Sequence, residues 1–238
     1  MSFQQNLDAP LSQGMSSSLG MAWPFVNEYS INFDGADEYA STSADSTLAT
    51  KSYSFWAKSD DTGLNAVFDH GDTNEGAFRF NVSAGRPTLA VGSGFLRYWV
   101  DNSAQDDDNW HHHVVYIEHD DITNCKWYVD GVLQTADYTA SSGSGDAYTT
   151  GIRLGRVADN YFDGNLDEFA VFDGELSAAQ IVEIYNAGTP ASLTSYSPEA
   201  WWRMGDNDGG TGTTITDQGS GGNDATLVND PTFSTSTP

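Results

Sequence analysis

Apolar and polar residues alternate along much of the chain from Tyr29 onward, the period of two expected of strands with one face on a core. Tyr29, Ile31 and Phe33 alternate with Ser30 and Asn32, and the run ends at Asp34-Gly35. Tyr53, Phe55 and Ala57 alternate with Ser54, Trp56 and Lys58. Phe78, Phe80 and Val82 form a third set, broken at Gly85. Residues 89–91 and 95–100 read as short strands separated by glycines, which suit turns with positive φ.

Trp110 opens the next strand. Trp110, His112, Val114 and Tyr116 fall on one face, and His111, His113, Val115 and Ile117 on the other. Residues 120–124 predict a turn, and 125–129 a return strand closed by Asp130-Gly131. Tyr148, Ile152 and Leu154 belong to a further extended stretch, and 166–172 sets Phe169 and Val171 against Ala170 and Phe172. One helix is predicted over 177–187. Ser177 caps it with Gln180 as capping-box partner, Ile181, Ile184 and Tyr185 form its apolar stripe, and Gly188 and Pro190 stop it. Strand and helix patterns do not alternate, so a parallel α/β sheet is not expected.

The chain divides into an N-terminal arm (1–24), a sandwich domain (25–190) and a C-terminal extension (191–238). The arm is polar and poor in charge, with Met15, Leu19, Met21 and Trp23 as anchors and Pro10 and Pro24 against regular structure. The extension is too small to bury its own core. It is expected to complete the sandwich or to contact a neighbour. Its Ala200-Trp-Trp-Arg run is strand-like, and 205–223 is a Gly/Asp/Thr-rich loop.

Charge narrows the partners. Nine Lys and Arg stand against 34 Asp and Glu, a formal net charge of −25. A field of that sign repels phosphate backbones and anionic lipid heads, which argues against nucleic acid. It also supplies carboxylate oxygens for hard cations such as calcium. Cys125 is the single cysteine and alternates with Trp127 and Val129, the pattern of a core thiol. The first residues have no positively charged flank or apolar segment of a secretory signal, and no run is long enough to span a membrane.

These residues together resemble the concanavalin A-like superfamily, and within it the laminin-G-like, pentraxin-related domains. The resemblance rests on Asn32-Phe-Asp-Gly35, Tyr53-Ser-Phe-Trp-Ala-Lys58, Trp110-His-His-His-Val-Val115, Trp127-Tyr-Val-Asp-Gly131 and Phe162-Asp-Gly-Asn-Leu-Asp-Glu-Phe-Ala-Val-Phe-Asp173, with Leu176-Ser-Ala-Ala-Gln-Ile181 after it. It implies an all-β jelly-roll sandwich of two antiparallel sheets with one short helix. Ala200-Trp-Trp-Arg-Met-Gly-Asp206, Ile215-Thr-Asp-Gln218 and Gly222-Asn-Asp-Ala-Thr-Leu227 are similar to the segment that opens such domains, here placed after the helix. Permuted connectivity, donation to an adjacent copy and truncation of a tandem array each account for that order. The tail also resembles segments of bacteriophage virion proteins that carry this domain.

Candidate chemistry is sparse. His111 and His113 share a face, but no Cys or third His converges on them for zinc, and His119 lies too far along the strand. Related glucanases align acids as Glu-x-Asp-x-x-Glu; here Glu118-His-Asp120 is followed by Thr123 where the last Glu belongs. Asp167 and Glu168 are adjacent, so in a regular strand they face opposite ways, not across one glycosidic bond. The family resemblance implies one structural calcium held by a carboxylate and backbone carbonyls, with Asp167 and Asp34 as the metal candidates. Trp99, Tyr98, Tyr161 and Asn160 are candidates for a sugar platform.

The resulting expectation is a non-enzymatic structural module of a phage particle (capsid surface, tail or fibre). It would contact other virion proteins or copies of itself, and be made in the host cytoplasm and released in the virion. The alternative is an extracellular, calcium-assisted carbohydrate-binding adhesion module that meets host-surface glycans. Neither binds nucleic acid or inserts in a membrane.

Overall fold

The alternating runs around Phe55 and Phe169 become the central strands of one sheet, Lys51–Lys58 and Asp163–Asp173, paired antiparallel. The computed structural model describes residues 25–42, 50–71, 77–83, 86–91, 93–99, 106–118, 121–144 and 151–238. The arm residues Met15, Leu19, Met21 and Trp23, and also His119 and Tyr148, lie outside them.

The first sheet runs Val132–Leu133, Lys126–Val129, His111–Ile117, Lys51–Lys58, Asp163–Asp173, Ser30–Asp34, Thr232–Ser234, with Ala200–Trp202 also beside Asp163–Asp173. The second runs Ala136–Ser144, Ser93–Trp99, Arg86–Val91, Ala77–Ser83, Asn65–His70, Ile152–Leu154, Tyr39–Thr42, Ala225–Val228, Thr214–Ile215. Neighbouring strands are antiparallel in both. A two-strand ribbon, Arg156–Val157 with Asn160–Tyr161, stands apart. The sandwich, the antiparallel pairing and the helix agree with the sequence reading.

Between the sheets the core is aromatic. Phe55 stacks on Phe169 at 5.4 Å, and Trp99 meets Trp127 edge-on at 5.9 Å. Such pairs contribute roughly 0.5–1.5 kcal/mol beyond the area they bury. Val115 and Ile117 point into this core and Val114 away from it, as the alternation predicts. The helix, Ala178–Tyr185, begins with the Ser177–Gln180 capping box and ends at Asn186 in the left-handed region. It lays Ile181 and Ile184 on the outer face of the first sheet, against Val114, Ala170 and Phe172.

The extension contributes Ala200–Trp202, Thr214–Ile215, Ala225–Val228 and Thr232–Ser234 to the two sheets. Trp202 is fully buried in the common core, its indole N–H donating to the Asn223 carbonyl at 2.9 Å. Lys51, itself buried, ties the extension down by pairing with Glu199 at 2.6 Å and Asp173 at 3.2 Å. Thr214–Ile215 falls inside the stretch read as loop, because a two-residue strand carries no detectable alternation.

Candidate functional site

A cleft of about 300 Å³ opens at the rim of the sandwich, lined by residues 34–36, Asp61, Leu64, 159–161 and Asp163. Three turns build it. The first follows Ser30–Asp34, where Gly35 adopts φ +73° and a Cβ would sit 2.9 Å from that of Asp163. Asp34 Oδ1 accepts the Ala36 N–H at 2.9 Å, and the Asp34 N–H donates to Glu38 at 2.9 Å. In the second, Asp61 accepts the Gly63 N–H at 2.8 Å while its own N–H donates to the Ser59 hydroxyl at 3.0 Å. The third is the 156–161 ribbon, which leads into Asp163. There Gly164 is obligatory, because a Cβ would lie 2.3 Å from the Lys58 carbonyl oxygen.

The cleft is acidic. Burial raises the pKa of Asp163, and the charges of Asp61, Asp60 and Asp34 push it the same way. The Arg156 guanidinium lies 4.9 Å from the Tyr39 ring centre and 5.5 Å from that of Tyr161, and its Nε donates to the Ala158 carbonyl at 2.7 Å. Tyr161 and Asn160, named from sequence as sugar contacts, do line this cleft. Trp99 does not: it is buried in the core at 1% exposure. The side chain of Tyr98 lies outside the described residues. Sequence reasoning passed over Asp61, Asp159 and Asp163, although the acidic turns Asp60-Asp61-Thr-Gly63 and Asp159-Asn-Tyr-Phe-Asp163 carry a visible signal.

Asp34 and Asp167 do not form one site. Asp34 pairs in register with Asp163, so Asp167 lies four residues further along the strand, about 13 Å at strand rise. Asp34 is exposed on the rim, whereas Asp167 is fully buried on the sheet's outer face. Asp167 accepts hydrogen bonds from Asn27 Nδ2 at 2.9 Å and the Glu168 N–H at 2.8 Å. Asp167 is therefore enclosed by protein, whereas Asp34 faces solvent. Calcium prefers hard oxygen donors, which the rim supplies. Among the described residues, however, no three His, Cys, Asp or Glu side chains converge to chelate a metal.

A bulge corrects the expectation for Asp167 and Glu168. The register against Lys51–Lys58 slips between Asp167 and Ala170, and Glu168 takes φ +48°. Both carboxylates thereby enter one buried polar cluster. Glu168 accepts from Trp201 Nε1 at 2.6 Å and Arg203 Nε at 3.1 Å. Burial pushes its pKa up to about 7, with Arg203 opposing. Asp167 is driven well above the carboxylate range by burial and by the Glu168 charge. The strap at residues 25–29 closes the cluster: Asp206 accepts the Glu28 and Tyr29 N–H groups at 2.8 and 3.0 Å, and Phe25 stacks on Trp201. A glycoside has no access to this pair.

His112 and His113 are structural. His112 Nε2 meets the Ser54 hydroxyl at 2.8 Å, the contact of a nucleophile and its base, but both are buried and packed beneath the helix. Burial lowers the pKa of His112 to about 4. His113 is buried in the aromatic core and accepts the Trp127 indole N–H at 3.2 Å. His111 bridges Asp130 at 2.7 Å and Asp107 at 3.3 Å.

Among curated proteins no sequence matches the chain. Among solved structures it is similar to a "putative carbohydrate binding protein" from Bacteroides ovatus, at 17% identity and TM-score 0.66, covering 89% of this chain and 60% of that one. The chain thus spans 60% of the length of that relative. A heptameric SAP-like pentraxin from Limulus polyphemus matches at 15% identity and TM-score 0.52, covering 67% of this chain and 82% of that one. At these identities the likeness is one of fold. The family profile described as the concanavalin A-like lectin/glucanases superfamily matches residues 34–182, more than half of the sequence. With the two antiparallel sheets already traced, that match assigns the chain to the laminin-G-type branch of the concanavalin A-like superfamily.

Proposed function

We propose that the chain is a non-enzymatic carbohydrate-binding module whose ligand seats in the rim cleft. The observation that carries this reading is the cleft's lining: the half-buried ring of Tyr161 beside the Asn160 amide and the carboxylates of Asp34, Asp61, Asp159 and Asp163. A sugar presents an apolar face to an aromatic ring and hydroxyls to oxygen acceptors, and this lining offers both. The carboxylates favour neutral or cationic sugars over sialic or uronic acids. Calcium enters as an assisting ion on Asp34, completed by carbonyl and water oxygens. With so few protein ligands its affinity is expected near about 10⁻⁴–10⁻³ M, as in extracellular modules. Such a module acts outside the cell or on a particle surface, on host glycans.

A glycan array with and without calcium tests the reading. Selective binding that Tyr161→Ala abolishes supports it; no selective binding under either condition removes it.

A second reading, a structural module of a phage particle, draws on one further observation. The strap at 25–29 lies beside the last strand region, with Thr237 donating to the Asn27 carbonyl at 3.4 Å and Ser30 to that of Ser236 at 2.8 Å. Residues 27–30 and 236–237 thus lie side by side on the sandwich, a ready point of attachment to virion neighbours or to further copies. Native mass measurement of the full chain, alone and with copurifying proteins, tests this. A strict monomer without partners removes it.

A further inference from the structure

We propose that His111 is a proton-operated pin for the 58–64 wall of the rim cleft: the wall is held while the imidazole is charged and loosens when it is neutral. Its consequence for ligand binding rests on the reading of the cleft given above; the pin itself rests on geometry.

His111 Nδ1 lies 2.7 Å from Asp130 Oδ2 and Nε2 lies 3.3 Å from Asp107 Oδ2. A neutral imidazole has one N–H and turns a lone pair toward the second carboxylate; only the charged ring donates to both. The two carboxylates belong to different elements. Asp130 sits in the hairpin turn after Lys126–Val129 and also accepts the His112 N–H at 2.9 Å. Asp107 sits in the 106–109 turn, which braces the cleft wall. There the Asp108 N–H donates to the Ser59 carbonyl at 2.9 Å, and Asp108 pairs with Lys58 at 3.2 Å. The Ser59 hydroxyl in turn donates to the Asp163 carbonyl at 2.6 Å and accepts from the Asp61 N–H and Asn65 Nδ2. Asp61 and Asp163 line the cleft, so contacts run unbroken from the imidazole to the wall.

The carboxylates nearest His111 set the sign. Asp107 and Asp130 face it directly; His112 and His113 share its strand, the His113 ring centre lying 6.5 Å away. The Lys58–Asp108 pair lies beyond the turn, and Tyr185 of the helix lies across Asp130. The Asp130 hydrogen bond is the largest cause holding the His111 pKa above its ordinary 6.5, with burial opposing. The pin is therefore fully engaged below pH 6.5 and is released as pH rises through the higher folded value. Asp107, the more exposed partner at 36% against 29% for Asp130, is the one that lets go.

Amide exchange of the full chain from about pH 5.5 to about pH 8.5, corrected for intrinsic rates, reads the wall directly. Protection of 58–64 and 106–110 is expected to fall several-fold across the His111 titration. His111→Gln, which keeps a donor but cannot titrate, is expected to show no such step. Protection that is independent of pH in the wild type, or an equal step in His111→Gln, overturns the pin. Should that variant fail to fold, the wild-type imidazole shift serves: titration of His111 without a concurrent change at the Asp108 amide overturns it equally. A step in exchange with no glycan bound at any pH upholds the pin and removes the binding reading, so the two failures are told apart.

Discussion

The Trp201 indole donates to the Glu168 carboxylate at 2.6 Å, so a tail residue satisfies a buried acid 33 positions earlier in the chain. Arg203 contacts the same acid, yet burial outweighs both partners and lifts the Glu168 pKa to about 7. A folded pKa above the ordinary 4.5 means that stabilisation is complete below about pH 4.5 and is lost as pH rises through about 7. Glu168→Gln should therefore compare better with the wild type at about pH 8 than at about pH 5. Urea unfolding at both values is the measurement; the same difference at each means that Glu168 does not titrate in this window.

Trp202 makes the extension part of the core, lying 6.2 Å from Phe169 with none of its surface exposed. Trp202→Ala should cost about 3–5 kcal/mol, the range for emptying a large aromatic site. Val132→Ser, at a position 62% exposed, should change stability by no more than about 0.5 kcal/mol. Comparable losses for the two variants in denaturant titrations would mean that the extension does not share the core.

The histidines should separate by titration. Burial lowers His112 to about 4 and His70 to about 3, while His111 rises above 6.5. For the lowered pair, stabilisation is present above pH 6.5 and declines as pH falls toward those values. Imidazole resonances followed by NMR should show His111 titrating at a higher pH than His112 and His70. A shared midpoint near 6.5 would contradict their burial.

The cleft should discriminate by charge. Neutral or aminated glycans should bind in preference to sialylated ones, and the preference should shrink as salt screens the carboxylates. Calcium should raise the melting temperature of the wild type and do so less in Asp34→Asn. An unchanged melting curve at matched ionic strength removes calcium from the proposal, and preferential binding of acidic glycans removes the charge argument.

Much of the fold was legible because apolar and more polar residues alternate along a strand, even where both faces are buried. The strands around Phe33, Phe55, Val115 and Phe169 are of that kind, as is the helix with its Ser177–Gln180 cap. Asn65–His70 was not legible: its apolar run is only Ala66-Val-Phe68, without alternation, and the polar Asn65, Asp69 and His70 beside it are buried too. The last two are accommodated by partners distant in sequence, Asp69 by Arg153 and His70 by the Tyr53 hydroxyl. The site divides the same way. Tyr161, Asn160 and Asp34 stand at turns that sequence marks. The cluster of Asp167, Glu168, Arg203 and Asp206 depends on a bulge at Glu168, and one extra residue in a strand leaves no trace in local composition.

The strand Ser30–Asp34 lies between Asp163–Asp173 and Thr232–Ser234, so both its neighbours are synthesised long after it. Neither sheet can be assembled as described until residues 200–234 are available. Closing such distant ends before their contacts repay the entropy makes folding slow. A nascent chain on the ribosome thus leaves Ser30–Asp34 without its partners until residues 163–173 and 232–234 emerge. In this setting the −25 charge has a second use, keeping unfinished copies apart until the last strand arrives.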